Sequence, residues 1–200
     1  MWVSKLVLDP RSRAARRDLA NPYEMHRTLS RAVSEALKEG RERLLWRLEP
    51  TRAHERPVVL VQTLTEPDWG VLEPGYAEVW PPKAFAPALQ AGQFLRFRLQ
   101  ANPAKRARDT GKRVALKTRE EKLAWLKRRL EEGGFGLLGA EILQDTFFEV
   151  PKAGQRIQVQ AVLFEGLLRV EDPEKALKTL RTGLGPGKAL GLGLLSLGRP

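Results

Sequence analysis

Apolar and polar positions alternate along residues 2–8, with Trp2, Ser4, Leu6 and Leu8 set against Val3, Lys5 and Val7, so the chain opens on a strand. An arginine-rich connector follows, carrying Arg11, Arg13, Arg16 and Arg17. Asn21 followed by Pro22 reads as a helix start, the asparagine as N-cap and the proline at the first helical position. That helix is expected to run to about Lys38 and to stop at Gly40. Residues 44–48 and 58–62 are short β-rich runs, separated by a turn over 50–57 that holds His54. A brief segment near 69–72 precedes a further strand at 76–80. After the prolines at 81, 82 and 87 the order repeats: a strand at 94–100, a helix at about 120–132 ended by Gly133 and Gly134, and two long β-rich stretches at 135–150 and 157–170. A turn over 151–156 joins those two as a hairpin, residues 173–181 read as helix, and 190–197 as a closing strand.

Each half thus follows the order β-α-β-β-α-β, which predicts an α+β protein of two tandem ferredoxin-like, RRM-like domains. Residues 1–82 are expected to form the first, 83–92 a linker, and 93–200 the second. Neither half carries the closely spaced aromatics after a Lys/Arg-Gly that an ordinary RRM uses to stack bases, so any nucleic acid is held in another way.

Charge sharpens this picture. Lys and Arg number 35 against 24 Asp and Glu, a net +11 over 200 residues, and such an excess favours an anionic partner. No apolar stretch approaches the roughly 18 residues of a membrane span, and the first residues lack the pattern of a secretion signal, so a cytoplasmic protein without a membrane partner is expected. The absence of cysteine excludes thiol nucleophiles and cysteine metal sites, and two histidines, His26 and His54, leave little for a zinc centre. No metal and no cofactor are expected.

The cations are concentrated. Residues 103–119 hold Lys105, Arg106, Arg108, Lys112, Arg113, Lys117 and Arg119 against Asp109 alone, which is more than half the net charge. With Thr110 and Gly111 inside it, this stretch reads as a loop whose cations neutralise phosphates, with an affinity that falls steeply in salt. A membrane-binding helix would need bulky apolar residues opposite the charge, and only Val114 and Leu116 are present. A glycine-rich tail (Gly183, Gly185, Gly187, Gly191, Gly193) carries Lys188. It is not a P-loop: Thr182 stands where the first glycine belongs and Ala189 where the hydroxyl that ligates Mg²⁺ belongs. It is backbone free to approach something closely, with one lysine.

On the helix after Asn21, Met25, Leu29, Val33 and Ala36 share the face that packs on the sheet, while Glu24, Thr28, Arg31, Glu35 and Lys38 face water. Between them runs a border stripe of Tyr23, His26, Arg27, Ser30 and Ser34. The acids are scattered among basic residues rather than clustered for two metal ions, and no G-x-S-x-G occurs. RNA supplies its own nucleophile, the ribose 2′-OH, so an enzyme need only align it, move protons and hold the developing charge. An imidazole suits that proton traffic, a tyrosine positions or donates, and a guanidinium stabilises charge without shuttling protons.

These residues resemble the CRISPR-associated repeat-RNA endoribonucleases of the CasE type, the processing subunit of the Cascade complex. The similarity runs over nearly the whole chain: Trp2-Val-Ser-Lys-Leu-Val-Leu, Arg13-Ala-Ala-Arg-Arg-Asp-Leu-Ala-Asn-Pro-Tyr-Glu-Met-His26, Arg96-Phe-Arg-Leu-Gln-Ala-Asn-Pro-Ala-Lys105, Thr110-Gly-Lys-Arg-Val-Ala-Leu-Lys117 and Gly185-Pro-Gly-Lys-Ala-Leu-Gly-Leu-Gly. The resemblance implies metal-independent cleavage of CRISPR repeat RNA at the base of its stem-loop, leaving a 5′-hydroxyl and a 2′,3′-cyclic or 3′ phosphate, with the product retained among other Cascade subunits. It implies His26 as general acid/base and Tyr23 as its partner; Arg31 and Ser34 on the same helical stretch are the further candidate catalytic residues. Which of Tyr23 and His26 is the base stays open. The family pattern has lysine where this chain has Arg31, which keeps a charge but not a proton donor. RNA contacts are expected from Arg27, Asn102, Lys105, Arg106, Arg108, Lys112, Arg113, Lys117, Lys152, Arg156 and Lys188. The competing reading is a non-catalytic RNA-binding or scaffold subunit. A duplex-DNA binder has no DNA-reading motif in its favour.

Overall fold

A computed structural model describes residues 1–52, 54–107, 111, 113–152 and 155–200; the side chains of Pro151, Lys152 and Gln155 are not described. Arg108 and Lys112, both expected RNA contacts, lie outside the described residues, as does the side chain of Lys152. The chain is mixed α and β with antiparallel sheets, and divides into two compact units. The first is residues 1–86 with 188–191, the second residues 87–187 with 192–200. No helix among the described residues is long and apolar enough to cross a membrane.

In the first unit the strands are β1 (Trp2–Leu8), β2 (Leu45–Leu48), β3 (Val58–Thr63), β4 (Ala77–Val79) and β5 (Lys83–Ala84). Their order is β2-β3-β1-β4, with β5 also on β1, and every pairing is antiparallel. The alternation of residues 2–8 does what it must in a half-covered strand: Ser4, Leu6 and Leu8 are buried. Leu6, Leu8, Met25, Leu29, Trp46, Val59, Val61 and Tyr76 form the core. Each such large side chain contributes about 1.5–3 kcal/mol by leaving water.

Three expectations change here. The arginine-rich connector is a helix, α1 (Arg13–Ala20), capped by Ser12, whose Oγ accepts from Ala15 N at 3.3 Å. The next helix is not continuous: α2 (Pro22–Ser30) passes into a 3-10 turn (Arg31–Val33), and only then does α3 (Ser34–Lys38) begin. Two hydrogen bonds account for the break. The Ser30 hydroxyl donates to the His26 carbonyl at 2.7 Å, and Asp68 N–H takes the Ala32 carbonyl at 2.9 Å, a group a continuing helix would need. Finally, residues 83–92 are not a free linker, because Lys83 and Ala84 pair with Val3 and Trp2, and Gly92 N–H donates to Val170 O at 2.8 Å.

The second unit contains β6 (Phe94–Ala101), β7 (Ala104–Arg106), β8 (Arg113–Ala115), α4 (Arg119–Glu132), β9 (Phe135–Lys152), β10 (Gln155–Val170), α5 (Pro173–Thr182) and β11 (Leu195–Gly198). The sheet order is β11-β6-β10-β9, again antiparallel throughout. Along β6, Leu95, Phe97 and Leu99 enter the core while Phe94 and Arg96 stay on the open face. The basic segment is not a plain loop: β7 and β8 pair as a two-stranded ribbon, with Lys105 opposite Val114 and Arg106 opposite Arg113. The strands of the long hairpin pair as far as Lys152 and Gln155, so its turn is tighter than 151–156.

Candidate active site and nucleic-acid interface

His26 owes its placement to Asn21. This one residue ends α1, its N–H donating to Arg17 O and Asp18 O, and starts α2, its Oδ1 accepting from Tyr23 N at 3.0 Å. Proline at the first position of α2 has no N–H to leave unsatisfied. A buried network beneath the helix holds the two helices together. Tyr76 Oη donates to Asp18 Oδ2 at 2.9 Å, Arg17 pairs with Asp18 at 2.7 Å and donates to Thr28 Oγ1 at 3.2 Å. Thr28, expected on the water face, is therefore buried. The carboxylate of Asp18 and burial together hold the Tyr76 hydroxyl far above its ordinary range, burial being the larger cause.

The His26 ring is half-buried, and its Nδ1 is enclosed without a hydrogen-bond partner among the described residues. Burial lowers its pKa below the ordinary 6.5, so the ring is neutral at pH 7 and able to accept a proton. Tyr23 lies one turn before it, half-buried on the same helix. Arg27 is exposed and pairs with Glu24. Arg31, in the 3-10 turn, donates from Nη2 to Val71 O at 2.8 Å, so part of its guanidinium is already engaged. Ser34 begins a separate helix after Val33 leaves helical backbone (φ −136°, ψ 28°), so no single helix carries both His26 and Ser34.

The glycine-rich tail reaches this same unit. Lys188 opens a 3-10 turn (Lys188–Leu190) that packs against α2 and β2. The turn depends on Gly191, whose φ is +78° and whose missing Cβ would stand 2.8 Å from the Trp46 ring. Lys188 is thus in the unit of His26 and not solely a property of the second unit, where the sequence put it.

The remaining expected RNA contacts lie in the second unit. Lys105 pairs with Glu121 at 2.9 Å, and Arg106 donates to Gly111 O at 3.3 Å. Arg113 and Lys117 are exposed, and Asn102 is half-buried at the end of β6. Arg156 on the long hairpin pairs with Glu149 at 3.2 Å. The sequence reading passed over Arg13 and Arg16, exposed on α1 and without an ion pair among the described residues. The signal was there, a Ser12 N-cap ahead of Ala14 and Ala15, but four arginines masked it. Among the described residues, no three of His, Asp and Glu gather to hold a metal ion.

A family profile described as CRISPR associated protein matches residues 1–199. The chain belongs to this CRISPR-associated protein family. Within it, the CRISPR-associated endoribonuclease Cse3 of Thermus thermophilus is 72% identical, over 98% of this chain and 99% of that relative. The Cascade subunit CasE of Escherichia coli K12 is 31% identical over 98% of each. A solved structure of Thermus thermophilus Cse3, bound to an RNA representing a pre-cleavage complex, superposes with a TM-score of 0.95 at 72% identity, covering 98% of each chain.

Proposed function

We propose that this chain is an endoribonuclease that processes CRISPR repeat RNA in the cytoplasm and works with other Cascade subunits; two relatives named as a CRISPR-associated endoribonuclease and a Cascade subunit support the reading. The supporting architecture is a pair of ferredoxin-like domains: both sheets order their strands in the sequence 4-1-3-2. In the first domain, a 3-10 turn (Trp69–Val71) replaces the second helix. The observation that carries the activity is His26. It is a half-buried, neutral imidazole on a helix fixed at its start by Asn21.

The reaction follows from that ring. His26 takes the proton of the ribose 2′-OH as the oxygen attacks the adjacent phosphorus, and the P–O bond to the 5′ oxygen of the next nucleotide breaks as Tyr23 gives that oxygen a proton, which the imidazolium then restores to Tyr23. A 5′-hydroxyl and a 2′,3′-cyclic phosphate result. Tyr23 lies one turn from His26, and Arg31 offers charge from the part of its guanidinium that Val71 does not hold. Ser34 receives no role. Arg27, Lys188 and the β7–β8 ribbon neutralise the RNA backbone, joined by Arg13 and Arg16.

The test is a repeat stem-loop incubated with the protein in EDTA. One discrete cut, with a 5′-hydroxyl on the downstream fragment, is the expected result. Tight binding with no cut would favour the scaffold reading, and a strict need for a divalent ion would overturn the mechanism.

A further inference from the structure

The second unit buries a lysine that the mechanism above does not use. Lys122, on the first turn of α4, has a side chain only 6% exposed. Its Nζ donates to the Lys117 carbonyl at 3.0 Å and pairs with Asp145 on β9. Gln160 on β10 donates from Nε2 to the other oxygen of Asp145 at 2.8 Å. That amide leaves its own Oε1 buried without a partner among the described residues. Such a set gives little net stability, since apolar side chains of the same size usually serve at least as well. Geometry is what it supplies.

What it aims is the root of the basic ribbon. Lys117 lies two residues after the end of β8, and three further contacts converge there. Glu121 accepts from Lys117 N at 3.0 Å and from Thr118 N at 3.3 Å, while its other oxygen holds Lys105 of β7 at 2.9 Å. The Lys105 ammonium, with those two backbone N–H groups, holds Glu121 down at about 2, so it stays charged across the working range. Leu116 is buried and donates to Pro103 O at 3.1 Å. Both strands of a two-stranded ribbon, which alone is marginal in water, are therefore tied to α4. One of the ties passes through Lys122 to β9 and β10.

We infer that Lys122, Asp145 and Gln160 are positioning residues that set the direction of the β7–β8 ribbon for RNA. The inference rests on the reading that this ribbon grips RNA. Lys122 itself is too enclosed to reach a phosphate, so its effect passes through the Lys117 carbonyl.

Asp145→Asn separates positioning from charge. It removes one negative charge at constant shape, so simple electrostatics expects tighter RNA binding. Positioning expects weaker binding, by about tenfold, because a small misplacement of contacting groups is costly. The measurement is the affinity for a repeat stem-loop made uncleavable by a 2′-deoxy nucleotide, together with the single-turnover rate on cleavable RNA at saturation. Weaker affinity with a cleavage rate near wild type, and faster amide exchange at Leu116 and Lys117, is the expected outcome. Equal or tighter binding overturns the inference, and so does unchanged exchange. Lys122→Met, which fills the space without charge, should weaken binding in the same way. An Arg106→Ala/Arg113→Ala variant keeps the two failures apart: if it binds as wild type does, the ribbon does not grip RNA and the underlying reading is what falls.

Discussion

His26→Ala is expected to slow cleavage of a repeat stem-loop by roughly 10²–10⁴-fold, the usual range for loss of a positioned acid or base, with little change in RNA affinity. The ring is half-buried on α2 and has no hydrogen bond to the rest of the described protein, so removing it costs proton transfer far more than it costs the fold. Single-turnover cleavage at saturating RNA, with affinity measured separately, makes the distinction. The pH profile carries the sign. Burial places the folded ring below 6.5, so the unfolded chain binds its proton first as pH falls; this contribution leaves stability undiminished above 6.5 and erodes it below. The second-order rate constant therefore rises with pH to a midpoint below 6.5 and then levels. In the RNA complex the phosphates favour imidazolium and move that midpoint upward. A rate that only falls with rising pH would give the base role to another group.

Replacing Arg106, Arg113 and Lys117 together by alanine is expected to weaken stem-loop binding by roughly a hundredfold at low salt, at about 1 kcal/mol for each charge-assisted phosphate contact. Arg106, Arg113 and Lys117 are all exposed; Arg106 stands opposite Arg113 on the ribbon, and Lys117 follows β8 at its root. The slope of log affinity against log salt should fall by about three, near one per phosphate contact. The loss should be similar for stems of unrelated sequence, since phosphates carry no sequence. Titrations at four or five salt concentrations decide it. An unchanged slope would move the grip elsewhere, with Arg13 and Arg16 of α1 the next cations to remove.

The parts of this protein that could be read from sequence are those where a local signal and the tertiary structure agree. Leu95, Phe97 and Leu99 alternate because β6 lies in mid-sheet with one open face. Asn21-Pro22 starts a helix because both residues satisfy or avoid orphan N–H groups within two positions. What escaped was set by distant partners. The break after Ser30 depends on Asp68, and the burial of Thr28 and Asp18 depends on Arg17 and Tyr76. Lys122 reads as one more surface cation on a charged helix until Asp145 and Gln160 are seen beside it. Lys188 comes to the His26 unit through a glycine backbone laid on Trp46, and no spacing in the sequence announces that. The helix that carries Tyr23 and His26 was legible because Asn21 and Pro22 mark its start. The helical wheel that joined Ser34 to His26 assumes one continuous helix, which the 3-10 turn at Arg31–Val33 interrupts.

The proposed chemistry turns on the substrate's own oxygen. A stem-loop carrying 2′-deoxyribose at the single nucleotide 5′ to the cut should bind with unchanged affinity and remain intact through an incubation that fully cleaves the all-ribose RNA. Cleavage of the deoxy stem-loop at that bond, at a rate comparable to the ribose substrate, would contradict attack by the 2′-OH and with it the role given to His26.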